Sequence, residues 1–204
     1  MDTELVRQAQ DGDREAFAAL VPPAVERLLP VAFRILGDSD LAEEATHIAV
    51  INAWQKLPSL REPARFEAWL YRLVVNACRD EVRRRPWEVH ASVPFDLAVD
   101  GTAREQQVDD RDRLDRAFRR LSVDHRAVIV LHHHVGLPLV EVGRVLGIPT
   151  GTIRSRLHYA TRAMRESLDL DDELPTAQVI AGLPSTTSTF GFGAGSTHAR
   201  RPQR

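Results

Sequence analysis

The sequence predicts an all-α protein of two small helical domains joined by a flexible linker, the second containing a helix-turn-helix. Three observations predict it. Apolar residues recur at helical spacing with no sustained strand-type alternation, a stretch of weak periodicity divides the chain near its middle, and a Gly-Ile-Pro-Thr turn joins two amphipathic segments beyond it. The 204 residues leave room for one ordinary domain or two of under ~100 residues each. The expected division is a domain at 1–86, a linker at 87–109, a domain at 110–170 and a disordered tail at 171–204.

In the first half the helices are punctuated by recognisable stops. Asp13 is placed to cap a helix running towards Val21, and Pro22 and Pro23 to open the next, since proline is tolerated in a first turn. Gly37 ends that helix. Asp40 is expected to cap a third reaching Leu57, before Pro58, and a long fourth runs from about Pro63 to Arg85, stopped by Pro86. Between Pro86 and Asp109 acids and turn formers accumulate around Gly101, the composition of a linker. Beyond it Leu114, Phe118 and Leu121 mark one amphipathic helix, and Asp124 is placed to cap another through Ala127 to Leu131. The Gly, Ser, Thr and Pro-rich tail has too little apolar content to fold alone.

Charge is unevenly distributed. The net formal charge is −2, but residues 61–85 carry +3 and 111–168 carry +6, separated by 86–110 at −5. Two basic blocks flanking an acidic one suit two polyanion-binding surfaces better than a small-molecule site. The single cysteine, Cys78, permits no internal disulfide and no cysteine-based zinc site, and is expected to be a buried small hydrophobe. The longest apolar run, Ala16 to Val21, is far short of the ~18 residues that cross a bilayer, and no basic-then-apolar leader opens the chain. A cytoplasmic protein without membrane contact is expected. No phosphate-loop, G-x-S-x-G or H-E-x-x-H motif occurs, and consecutive His132, His133 and His134 point about 100° apart on a helix and cannot converge on one ion. Neither catalysis, cofactor nor metal is indicated.

The sharpest signal lies at 138–168. Leu139 to Leu146 form a short helix, Gly147 can take positive φ at its end, Ile148 is a buried staple, Pro149 prevents simple continuation and Thr150 is placed to cap a new helix. At about 100° per residue, Ile153, Leu157, Ala160, Met164 and Leu168 fall on one side of that helix. Ser155, His158, Tyr159 and Arg162 fall opposite, with Arg154 and Arg156 on the flanks. Such a face offers hydrogen bonds to base edges and guanidinium groups to phosphates, and the N-terminus at Thr150 to Thr152 offers amides to a phosphate.

On the fourth helix the same plot puts Phe66, Leu70, Leu73 and Ala77 in the core and gathers Arg65, Arg72, Arg79 and Arg83 into a ridge beside Asn76 and Trp69. Guanidinium groups with an adjacent ring suit single-stranded nucleic acid. Equally, Trp69 borders the apolar stripe and suits a core position, and Glu62 and Glu67 are spaced to pair with the arginines. The third helix carries Leu41, Ala45 and Ile48 on one side and Val50, Trp54 and Leu57 on another. That is more apolar surface than one small bundle needs to cover, so it points to a protein partner or to burial from two sides.

Leu146-Gly-Ile-Pro-Thr-Gly-Thr-Ile-Arg-Ser-Arg-Leu-His158, with Phe66-Glu-Ala-Trp-Leu-Tyr-Arg72 followed by Asn76, Asp80 and Arg83 to Arg85, resembles the extracytoplasmic-function sigma factors of the sigma-70 family. The resemblance covers about 11–85 and 111–168. It implies a non-enzymatic promoter-specificity subunit of RNA polymerase. By the resemblance, Arg65, Trp69, Arg72, Asn76, Arg79 and Arg83 hold the melted −10 strand, and Thr150, Thr152, Arg154, Ser155, Arg156, His158, Tyr159 and Arg162 read the −35 duplex. It further implies docking on the beta-prime clamp through Glu44, His47, Ile48, Ile51 and Trp54, and an anti-sigma factor as a further candidate partner. The docking helix departs from the family's acid-glutamine-glutamate pattern, since Glu44 is followed by Thr46, His47 and Ile48. Two other functions fit the same residues: a helix-turn-helix regulator of duplex DNA acting without polymerase, and a sigma-like adaptor that binds only proteins.

Overall fold

The computed structural model describes residues 2–85 and 113–181, with side chains to 168. The elements are α1 (Thr3–Gln10), α2 (Arg14–Leu36), α3 (Ser39–Lys56) and α4 (Phe66–Arg84), then α5 (113–119), α6 (Val123–Ile129), α7 (Leu139–Leu146) and α8 (Thr150–Ala181). Single 3-10 turns at Leu57–Ser59 and Pro63–Arg65 lead from α3 into α4, and α6 runs on as a π-helical turn over Val130–His134. No strand occurs among the described residues. The expected linker at 87–109 lies outside them.

Caps explain most boundaries. Asp13 opens α2 by accepting the Glu15 and Ala16 amides at 2.8 and 3.1 Å, and Gly37 closes it in the left-handed region at φ 75°, returning its N–H to Phe33 O. Four expectations are corrected. The cap of α3 is Asp38, which accepts the Leu41 amide at 2.9 Å, while Asp40 lies inside the first turn. The cap of α6 is Ser122 rather than Asp124, again two residues earlier, and Thr150 is the first residue within α8 rather than its cap. And α2 is a single helix through Pro22, Pro23 and Pro30 rather than two. Each proline deprives the carbonyl four residues earlier of its donor. Those carbonyls belong to Ala18, Ala19 and Glu26, all exposed, so solvent satisfies what the helix does not.

Two elements extend beyond the expected limits. α1 precedes the first helix that periodicity marks; Asp2 caps it, Val6 and Ala9 are buried, and Gln10 Nε2 donates to the Leu57 and Leu60 carbonyls at 3.1 and 2.7 Å. α8 continues to Ala181, past the boundary that composition sets at 170.

α2, α3 and α4 pack mutually, with Leu28, Val31, Ile35, Leu36, Leu57 and Val74 fully buried. Ala42, Ala45, Ala49 and Ala53 form the buried face of α3, and small side chains there let the helices approach closely. α2 is long and apolar enough to span a bilayer by length and composition, but its apolar side, including Leu20, Ala24 and Leu28, is this core. In the second half Ala127, Val128, Leu131, Val142, Ile153 and Ala160 are buried together. The two halves also touch: α4 packs against α6 and α7 as well as α2 and α3, so the buried set of α4 includes Tyr71, Val75 and Cys78 beyond the predicted stripe.

Candidate nucleic-acid interface

The turn between α7 and α8 is held by backbone. Gly147 sits at φ 69°, and Ile148 donates its amide to Gly143 O at 3.0 Å. Gly143 has no room for a side chain, because a Cβ there would lie 2.9 Å from Ile148 O. This close approach fixes α8 against α7. Ile153 and Ala160 are fully buried, with Leu157, Met164 and Leu168 half-buried beside them, so the predicted stripe is the core face.

Opposite that stripe Thr152, Arg154, Ser155, His158, Tyr159 and Arg162 are exposed, Tyr159 at 62%, and Thr150 is half-buried. His158 and Tyr159 stand ring edge to ring face, with centroids 6.0 Å apart. Two readers carry local restraints: the Ser155 hydroxyl donates back to Gly151 O at 3.2 Å, and Arg162 Nε donates to Glu166 Oε1 at 2.6 Å. Arg156 differs from the others. It is 27% exposed and ion-paired through Nη2 with Asp124 Oδ2 at 3.1 Å.

The α4 ridge is more encumbered than its sequence suggests. Arg65 pairs with Glu62 at 2.7 Å and Arg83 with Asp80 at 2.7 Å. Arg79 is only 22% exposed, donating Nε to Asp124 Oδ1 at 2.8 Å and Nη1 to Asn76 Oδ1 at 3.1 Å. Trp69 is half-buried against Phe66, with ring centroids 5.8 Å apart. Arg65, Trp69 and Arg72 line a cleft whose other wall is Glu141, Arg144 and Val145 of α7.

Residues 24–88 match the family described as Sigma-70 region 2, and residues 117–166 match Sigma-70, region 4. The ECF RNA polymerase sigma factor SigM of Mycobacterium tuberculosis is 33% identical over 155 residues, covering 76% of this chain and 78% of SigM. The chain belongs to the extracytoplasmic-function sigma factors of the sigma-70 family. SigW of Bacillus subtilis is 27% identical over 176 residues, covering 80% and 94% of the two chains. The solved structure of CnrH in complex with the cytosolic domain of CnrY aligns at a TM-score of 0.60 and 27% identity, covering 83% of this sigma factor and 98% of CnrH. As a sigma factor it acts in transcription initiation, with RNA polymerase core and promoter DNA as its partners.

The sigma factor also exposes apolar surface on α3. Ile51 is 45% exposed, Trp54 37% exposed and Ile48 half-buried, at successive three-residue steps on one side of the helix, with exposed His47 at its margin. Periodicity missed Phe17 of α2, whose ring packs tilted against Trp54 with centroids 4.8 Å apart and extends this face onto a second helix. Glu44 lies apart from it, ion-paired with Arg85 at 3.2 Å and Arg84 at 4.0 Å. Sequence reasoning also missed Glu81, fully buried on the basic helix with Arg84 at 2.6 Å. Burial raises its carboxyl above the ordinary range; Arg84 opposes the shift and Glu44 adds to it. Burial likewise pushes the Cys78 thiol up, so that it is an inert core group as expected. Burial and a charged neighbour, His132 for one and Arg34 for the other, lower His133 and His134. Among the described residues no three His, Cys, Asp or Glu side chains form a metal-binding group.

Proposed function

We propose that the sigma factor reads a −35 duplex with α8 and holds a melted −10 strand on α4. In this reading α3 carries the contact with the beta-prime clamp. The observation that carries it is the division of α8: Ile153 and Ala160 are fully buried, while Arg154, Ser155, His158 and Tyr159 project from the opposite side behind a rigid turn. A helix presented so can enter a major groove, with Arg154 and the Thr150 to Thr152 amides on phosphates and Ser155, His158 and Arg162 towards base edges. Ile48, Ile51 and Trp54 supply the apolar centre of a protein contact, which the His47 and Ile48 departures make more apolar than the family pattern.

In this reading the domains divide at 1–86 and 110–170. The protein works in the cytoplasm as an initiation factor and leaves the chemistry to polymerase. CnrH forms a complex with the cytosolic domain of CnrY, and a protein partner, an anti-sigma factor, is proposed here as well. The test adds the chain to core polymerase with promoters selected from genomic fragments, then scores strand opening and run-off transcription. Initiation at selected sites is expected. Duplex binding without initiation would show a regulator independent of polymerase, and neither activity would leave a protein-binding adaptor.

A further inference from the structure

On the core side of α8, away from Arg154, Ser155 and His158, lies a cavity of about 250 Å³. Its walls are Leu114 and Phe118 of α5, Ile129 of α6, Val130 of the π-helical turn and Met164 of α8. Walls of this kind offer an ordered water few of the polar partners it needs, and they favour an apolar body. The π-helical turn shapes one side. Val135 donates its amide to Val130 O at 3.0 Å, five residues back, and this wider turn sets His133 and His134 on the same wall as Ile129 and Val130.

The polar groups that line the cavity differ in their access to solvent. His133 and His134 are exposed, which puts them at its mouth, whereas Asp115 is 2% exposed and withdrawn from it. Burial, with the charge of Arg34 beside it, lowers His134, and His133 is lowered too, so both imidazoles are neutral at pH 7 and each offers a ring N–H. Arg34 reaches the cavity from α2, with Nη1 donating to Pro30 O at 3.3 Å. His132 points elsewhere, its Nδ1 2.8 Å from Leu137 O. The mouth therefore presents one guanidinium and two neutral donors.

We propose that this cavity is a binding site for a small amphipathic carboxylate, its apolar body among Phe118, Val130 and Met164 and its head group on Arg34, His133 and His134. A guanidinium recognises a carboxylate through charge-assisted hydrogen bonds, and neutral imidazoles add donors without the desolvation cost of further charge. The volume sets the size. It falls below the ~300–1,000 Å³ of ordinary drug-sized sites and is too narrow for a peptide helix ~10 Å across, so it suits a chain or ring of about eight carbons. Such a ligand would touch α2 and α8 at once without covering the exposed polar face of α8, so the site stands whether or not that face reads DNA.

The chain has two methionines, Met1 and Met164, so labelling with methyl-13C-methionine places one reporter in the cavity and one far from it in sequence. The probe is octanoate, with octanol and octylammonium as head-group controls, titrated into the full chain and followed by NMR. Octanoate is expected to shift the Met164 methyl saturably, with Kd below about 1 mM, while Met1 stays in place. It should bind at least about fivefold more tightly than either control, and Arg34→Gln, with helix content checked by circular dichroism, should abolish that preference while leaving octanol binding unchanged. The head-group series on the wild-type chain decides the matter even where Arg34→Gln fails to fold. A Met164 methyl that moves no more than Met1 would overturn the site. Equal binding of octanoate and octanol would overturn carboxylate recognition, as would tighter binding of octylammonium, which would assign the head group to Asp115.

Discussion

Gly143 lies inside α7, where replacing glycine by alanine ordinarily stabilises a helix by about 1 kcal/mol. Here the sign reverses, because the new Cβ would meet Ile148 O at 2.9 Å and that atom is backbone. Gly143→Ala should destabilise the chain by about 1–3 kcal/mol, the usual cost of overpacking, measured by denaturant unfolding. Gly151→Ala, with open space around the Cβ position, should be neutral or gain up to ~1 kcal/mol. Arg154 is exposed with no acidic partner among the described residues. If it meets a phosphate, Arg154→Ala weakens duplex binding and lowers the slope of log affinity against log salt by about one. An unchanged slope removes it from the backbone contact.

Glu81 sets a pH dependence at the same scale. Its folded-state pKa is raised, so the protonated form favours folding at low pH, and that benefit is lost as pH rises through the folded value. Above it, folding must bury a charge that Arg84, half exposed, only partly compensates. Glu81→Gln should therefore raise the melting temperature at pH 7 by about 2–4 °C, corresponding to ~1 kcal/mol. The difference should shrink towards pH 4. A mutant equally stabilised at both values would assign the effect to packing rather than ionisation.

At the scale of elements, α3 separates stability from association. Its buried face is Ala42, Ala45, Ala49 and Ala53, and its outer face is Ile48, Ile51 and Trp54. Ile51→Glu should leave thermal unfolding within a few degrees of wild type yet weaken binding to polymerase core at least about tenfold, since a charge would enter an apolar contact. Loss of both together would make the outer face part of the fold instead. Sequence reasoning located this helix but could not divide its apolar residues between core and partner, because that depends on which neighbours α2 and α4 present. By contrast, the α8 stripe was legible since helical period, turn chemistry and exposed polar groups all agree there. The continuity of α2 was not legible: local rules read Pro22 and Pro23 as a start, whereas packing of Leu20, Ala24 and Leu28 on one side carries the helix through them.

At the scale of the whole molecule, the pairing of Arg79 and Arg156 with Asp124 was beyond periodicity, because partners tens of residues apart meet only after the halves dock. Arg126 shows what that docking demands. Its guanidinium is almost completely buried, donating Nε to Leu121 O at 3.2 Å and Nη1 to Leu36 O at 3.4 Å, and burial lowers its pKa to about 10. The Leu36 carbonyl is one of the last in α2, where carbonyls lack helical donors and the helix dipole favours a cation, so the contact compensates part of the desolvation. Arg126→Met keeps the apolar stem and removes both donors, leaving those carbonyls unsatisfied at the junction. Stability should fall by about 1–3 kcal/mol, and amide exchange around Gly37 and Leu121 should quicken more than at Val31 or Ile153 inside either core. Uniform acceleration across both halves would instead make the junction part of one cooperative unit, in which α6 could not move away from α2 without global unfolding.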